Sequence, residues 1–172
     1  YTQPPKKRDR GQKIHNSPIH NYAAKLKLKV RHPSSLSNSE EINYIKKLKP
    51  DVVVVVAYGK ILPIEILNLD KILFLNVHAS LLPKWRGAAP IQRAIMNMDK
   101  ETGISIMKIV EKLDAGPVML TSRIKITKNC NYQDISEKLS ITGAKLIIEA
   151  LDKIKSGNAK FSAQKESDAT YA

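Results

Sequence analysis

The chain has 172 residues, 42% of them hydrophobic, and a formal charge of +13 at pH 7. That length suits one domain with a real core, and no apolar run approaches the roughly 20 residues of a membrane helix. A single cysteine, Cys130, rules out an internal disulfide, and without a CxxC or Cys/His cluster no metal site is expected.

The start is polar and proline-rich rather than a signal peptide, so a cytoplasmic location is the default expectation. The charge is uneven. Residues 1–31 hold nine Lys/Arg against one acid, Asp9. Such an excess favours a polyanion through phosphate neutralisation and counterion release, or else serves a lysine-rich, soluble surface.

In chain order, Thr2 to Pro18 has prolines, a glycine and basic residues without apolar periodicity, and reads as an extended, mobile loop. Ile19 to Lys27 is expected as a short helix carrying Tyr22, Ala23 and Leu26 inward, and Leu28 to Val30 as a short strand. Ser37 with Glu40 makes a capping-box pattern; Ile42, Ile45 and Leu48 then share a helical stripe that Pro50 ends.

Val52 to Ala57, a β-branched run between Asp51 and the Tyr58-Gly59 turn, reads as a strand buried on both faces. A short helix over Pro63 to Leu69 precedes a second buried strand, Ile72 to Val77. Pro90 to Met98 has proline in the first turn of a helix. Strands over Gly103 to Val110 and Val118 to Ile126 follow, the latter more polar and nearer an edge. Asn131 and Asp134 cap a long helix with Ile135, Leu139, Ile147, Leu151 and Ile154 near one face; Gly157 ends it. The tail from Lys160 is mostly polar. There is no internal repeat. Alternating helices and buried strands indicate an α/β open, mostly parallel sheet, with ligands beyond the carboxyl ends of its strands.

Asn76 and His78 sit at such an end. Residues i and i+2 of a strand point the same way, so an amide that can hold an oxyanion and an imidazole that can move protons face one reacting group together. A strand-end histidine bonded only to its surroundings is the plainer alternative. A proton-handling histidine usually has an orienting partner, and Asp114 stands out in the Asp-Ala-Gly-Pro turn. Asp99 and Glu101 read as a solvated turn. Trp85 is either an aromatic lid or a hydrophobic plug.

Asn-x-His-x-Ser-Leu-Leu-Pro (Asn76 to Pro83) with the later Leu-Asp-x-Gly (Leu113 to Gly116) resembles the 10-formyltetrahydrofolate-dependent formyltransferases. SLLPKWRGAAPIQRAI, ETGISIMKIVEKLDAGPVML and VVVVVAYGKILP are closely similar to the methionyl-tRNA formyltransferase branch of that family. The resemblance implies a Rossmann-like catalytic domain over residues 1–160, lacking the family's first strands. Residues 161–172 would start a linker to an absent C-terminal domain, and the isolated chain would be poorly stable.

It implies formyl transfer from 10-formyltetrahydrofolate to the α-amino group of methionyl-initiator tRNA, with no metal, by a monomer in a bacterial cytoplasm or organellar matrix. Asn76 would hold the formyl oxygen, His78 would assist proton transfer, and Asp114 would orient His78 or pass protons through water. The folate would lie along Ser80, Leu81, Leu82 and Pro83, and along Gly59, Lys60, Ile61 and Leu62. Lys6, Lys7, Arg8, Arg10 and Lys13 would meet the tRNA acceptor end. Arg86 and Lys84 would face either the tRNA or the folate tail. A small amine such as a nucleotide sugar or glycinamide ribonucleotide is the alternative acceptor, and a non-catalytic RNA-binding remnant the alternative class.

Overall fold

The computed structural model describes residues 1–8 and 12–172. They form two compact units, residues 1–50 with 58–70 and residues 51–57 with 71–172. Arg10, one of the basic residues expected at the tRNA, lies outside the described residues, as does the side chain of Arg8.

The first unit departs from the expected mobile loop. Lys6–Arg8 (β1) and Lys13–His15 (β2) pair antiparallel, with Lys7 opposite Ile14. Thr2 is buried and its N–H donates to Arg31 O. Backbone pairing, which needs no apolar period, supplies order that side-chain pattern did not announce. Ser17 caps Pro18–Lys25 (α1) by accepting from His20 N–H at 3.0 Å. The face expected to turn inward does not: Tyr22 and Leu26 stay exposed, and α1 has no buried residue. Leu28 to Val30 forms no strand.

The helix Ser39–Leu48 (α2) starts one residue later than the capping box suggested. Asn38, not Ser37, is the cap, accepting from Glu41 N–H at 2.8 Å. The carboxylate is engaged elsewhere. Glu41 is buried and accepts from Arg31 through both oxygens and from the Tyr1 hydroxyl. Arg31, first, holds its carboxyl below the ordinary range despite burial. Ile64–Leu67 (α3) completes the unit.

The second unit carries a four-stranded sheet: Val52–Val55 (β3), Leu73–His78 (β4), Glu101–Lys108 (β5) and Val118–Lys125 (β6), in that spatial order. The expected α/β open, Rossmann-like sheet is present, but it is mixed rather than mostly parallel. β3 and β4 run parallel; β4 with β5 and β5 with β6 run antiparallel. Strand β3 lies at the edge of this sheet and is not covered on both faces: Val54 is 38% exposed, and Val56, just beyond the strand, 59%.

Strand β5 is the buried centre, covered from Thr102 to Met107. The long helix Tyr132–Lys155 (α5) opens on a full capping box between Asn131 and Asp134. It lays Ile135, Leu139, Leu146 and Ala150 against Leu75, Ile104 and Ile106. Pro90–Met96 (α4) joins β4 to β5 and buries Ala94. This core fixes the carboxyl end of β4, where Asn76 and His78 lie. No helix among the described residues is long and apolar enough to cross a membrane, and none of their His, Cys, Asp and Glu side chains cluster as a metal site.

Candidate active site

Strand β4 is locked on both sides. Asn76 is in register with Val55 of β3 and Met107 of β5, and His78 with Ser105 of β5. The two side chains therefore leave the same face of the sheet. Asp114 comes from the β5–β6 connection, where Lys108 N–H donates to Pro117 O at 2.9 Å and closes the loop. Gly116 permits that closure: a Cβ there would lie 1.8 Å from Lys108 O.

The three residues converge. Asn76 Nδ2 reaches Asp114 Oδ1 at 3.5 Å, and His78 Nδ1 lies 3.7 Å from Asp114 Oδ2. The same Oδ2 accepts from Gly87 N–H at 2.8 Å. His78 is 5% exposed, so its ring needs partners. Its second nitrogen, Nε2, is 2.9 Å from the carbonyl oxygen of Trp85. A carbonyl only accepts, so Nε2 is protonated and Nδ1 is the nitrogen left to gain or lose a proton beside Asp114.

Two non-glycine residues here have left-handed backbone, Trp85 with φ 58° and Asp114 with φ 44°. Such positions cost about 1–3 kcal/mol each and persist only where surrounding contacts over-determine them. Those contacts are visible. The Trp85 indole N–H donates to Asp99 Oδ2 at 2.7 Å, and Trp85 N–H donates to Thr170 Oγ1 at 2.9 Å. Trp85 is thus a half-buried, hydrogen-bonded anchor rather than a free lid, and Asp99 is not a merely solvated turn residue. Gly87, with φ 110°, turns its N–H to Asp114 where a Cβ would lie 2.7 Å from Ala172 O.

The position of Arg86 is a correction. It is fully buried, at 0% exposure. Its guanidinium donates to Gln164 Oε1 at 3.1 and 3.2 Å, to both oxygens of Glu166, and to the Tyr171 hydroxyl at 3.3 Å. A buried cation must be saturated in this way, and its donors are engaged within the chain rather than exposed at the surface expected for them. The tail expected as a linker is what saturates it. Ser162 pairs with Val118, and Arg86 and Tyr171 form a parallel bridge. Lys84 is exposed.

Of the residues expected at a folate, Ser80 is buried and Leu81, Leu82 and Pro83 are half-buried. Ser105 Oγ donates to Ser80 O at 2.7 Å and accepts from Leu82 N–H at 3.1 Å. The Leu82–Pro83 peptide is cis. Gly59 to Leu62 belong to the first unit. There the Lys60 ammonium donates to Ser34 O at 2.5 Å, and Ile61 is 90% exposed. Lys6, Lys7 and Lys13 are exposed on the β1–β2 hairpin. Sequence reasoning missed the Trp85 carbonyl, the Gly87 N–H and Gln164. The first two are backbone groups that no side-chain pattern encodes, and Gln164 lies 50 residues from the loop it holds.

A profile of the formyl transferase family matches residues 1–151. The chain belongs to the formyl transferase family. It is 57% identical to the methionyl-tRNA formyltransferase of Pelagibacter ubique, across all of this chain and 56% of that protein. The chain therefore spans a little over half the length of that relative. A relative of the same name from a Sulfurihydrogenibium species is 49% identical over 99% of this chain and 55% of its own length. Among solved structures, a sugar N-formyltransferase from a Shewanella species superposes with a TM-score of 0.73 at 20% identity, over 88% of this chain and 58% of that one. At that identity the likeness concerns the fold alone.

Proposed function

We propose that the protein transfers the formyl group of 10-formyltetrahydrofolate to the α-amino group of methionyl-initiator tRNA. The observation that carries this reading is identity of 57% across the whole chain to a protein named methionyl-tRNA formyltransferase. A folate donor is further supported by the fold neighbour HypX of Aquifex aeolicus, solved with tetrahydrofolic acid, at a TM-score of 0.67 and 21% identity.

The chemistry follows from the trio. The amine attacks the formyl carbon, the formyl oxygen becomes negative, and the bond from that carbon to the folate nitrogen breaks. Asn76, whose amide makes a long 3.5 Å contact to Asp114, can turn its N–H groups to the oxyanion. The attacking amine must lose a proton and the departing folate nitrogen must gain one. His78 Nδ1, beside Asp114, is the site suited to hold that proton, because the carboxylate stabilises the imidazolium it creates. Ser80 to Pro83, held to β5 through Ser105, are proposed as a wall for the folate. Lys6, Lys7 and Lys13 are proposed as phosphate contacts.

The test is formyl transfer from 10-formyltetrahydrofolate to charged initiator tRNA, beside nucleotide-linked amino sugars and glycinamide ribonucleotide. Transfer to the tRNA is expected. Transfer only to a small amine, or tRNA binding without turnover, overturns the reading.

A further inference from the structure

The segment Gln164 to Ala172 touches both loops that surround His78. On one side Thr170 O accepts from Arg86 N–H at 2.9 Å, Thr170 N–H donates to Pro83 O at 3.2 Å, and Ala172 N–H donates to Arg86 O at 2.7 Å. On the other, the amide nitrogen of Gln164 donates to Asp114 O at 2.8 Å and Gly116 O at 2.7 Å. The opposite end of the same amide, Oε1, accepts twice from buried Arg86. Every strong hydrogen-bonding position of this side chain is thus used, and the amide as a whole bridges one loop of the site to the other.

The loops so tied carry the two groups that hold the His78 ring. One presents the Trp85 carbonyl to Nε2, and the other presents the Asp114 carboxylate to Nδ1. Both residues have left-handed backbone. A left-handed aspartate persists where its surroundings hold it, and the Asp114 carbonyl is held by Gln164 as its carboxylate is by Gly87 N–H.

We infer that Gln164 is a positioning residue, whose amide clamps the Asp114–Gly116 turn to Arg86 and so sets the distance between the Asp114 carboxylate and His78. It touches no substrate; it acts through Asp114. The inference rests on the proposed role of Asp114 and His78 in formyl transfer. Asp114 is the charged group that the structure sets against the ring; the Trp85 carbonyl and Ser105, the β5 residue in register, are uncharged.

The test is Gln164→Glu in the protein as its gene encodes it. Glutamate still accepts from Arg86, so the tail stays seated, but it cannot donate to Asp114 O or Gly116 O. Turnover is expected to fall about 10- to 100-fold, as for a group displaced by a fraction of an ångström to an ångström, with the folate KM unchanged. The ring nitrogens of His78, followed by nitrogen NMR at one fixed pH, are expected to shift in Gln164→Glu, because the Asp114 carboxylate no longer sits at its distance from Nδ1. Adding Gln164→Glu to Asp114→Asn is expected to change turnover little further, because Gln164 acts through that carboxylate. Wild-type turnover with wild-type His78 nitrogen signals overturns the inference. So does a lowered melting temperature with turnover per folded molecule unchanged, which marks a purely structural bond. If the wild type transfers no formyl group, the proposed function fails, and the His78 nitrogen signals alone still decide the role of Gln164. Should Gln164→Glu not fold, Gln164→Met, which keeps the shape without the amide, is read by the same signals.

Discussion

The imidazole of His78 and the carbonyl of Trp85 are 2.9 Å apart, and the bond between them can run only from ring to carbonyl. This fixes the tautomer from outside the strand that carries the histidine. The proton-exchanging nitrogen is then Nδ1, on the side of Asp114.

The first prediction concerns the trio. Asn76→Ala, His78→Ala and Asp114→Ala in the whole protein are each expected to lower kcat by about 100- to 10,000-fold. The folate KM is expected to change far less, because these groups act on charge that develops during reaction. Steady-state kinetics with the folate donor varied checks this; a change confined to KM contradicts the roles.

The anchor of Trp85 gives a second. Trp85→Phe removes the indole N–H and leaves Asp99 Oδ2 without that donor. Loss of a hydrogen bond to a charged group is expected to cost about 1.5–3 kcal/mol. Urea denaturation measures it. Asp99→Asn, which keeps an acceptor there, is expected to cost less.

Gly116→Ala is expected to be among the most damaging single changes. The added Cβ would sit 1.8 Å from the carbonyl oxygen of Lys108, and backbone oxygen cannot step aside without opening the β5–β6 connection. Overpacking of this kind typically costs about 1–3 kcal/mol or more. Both the melting temperature and turnover should fall, since the same loop carries Asp114.

Acid sensitivity of the tail supplies a fourth. Arg86, and after it Lys112, hold the Glu166 carboxyl down from its ordinary 4.5 to about 2. A carboxyl depressed by folding stabilises the folded state fully above its unfolded value. That contribution is lost as pH falls through the window from about 4.5 to about 2. Wild type should therefore lose more stability across that window than Glu166→Gln. Denaturation curves for the two proteins between pH 6 and 2 would show the gap closing as Glu166 protonates; a constant gap would contradict the pairing.

How much of this was legible from residues alone differs by element. Val52 to Val55 is a β-branched run of strand length, and Leu73 to Leu75 opens the next strand with apolar residues before Asn76; both are too short for a helix and pair in the sheet. The α5 cap was legible because Asn131 and Asp134 satisfy each other's backbone locally. The β1–β2 hairpin was not, since its order comes from cross-strand backbone pairing between polar segments. The α2 cap shifted by one residue: Asn38 takes the position, and Glu41 answers to Arg31 and Tyr1, partners 10 and 40 residues away.

For the site, the sequence by itself determined that an amide and an imidazole leave the same face of a strand end, because the two-residue period of β structure is a local property. The motif that carries them also made the family resemblance readable. Only the tertiary structure decided what each group is held by. Asp114 is brought back by a loop that Gly116 lets close. The Trp85 carbonyl sets the proton position on His78. Arg86, whose charge suggested a surface role, is buried because residues 164–171 supply its counter-charge and acceptors. The physical reason is common to all three: hydrogen bonds from backbone groups, and ion pairs across 80 residues, depend on where the chain returns, and no local pattern records that.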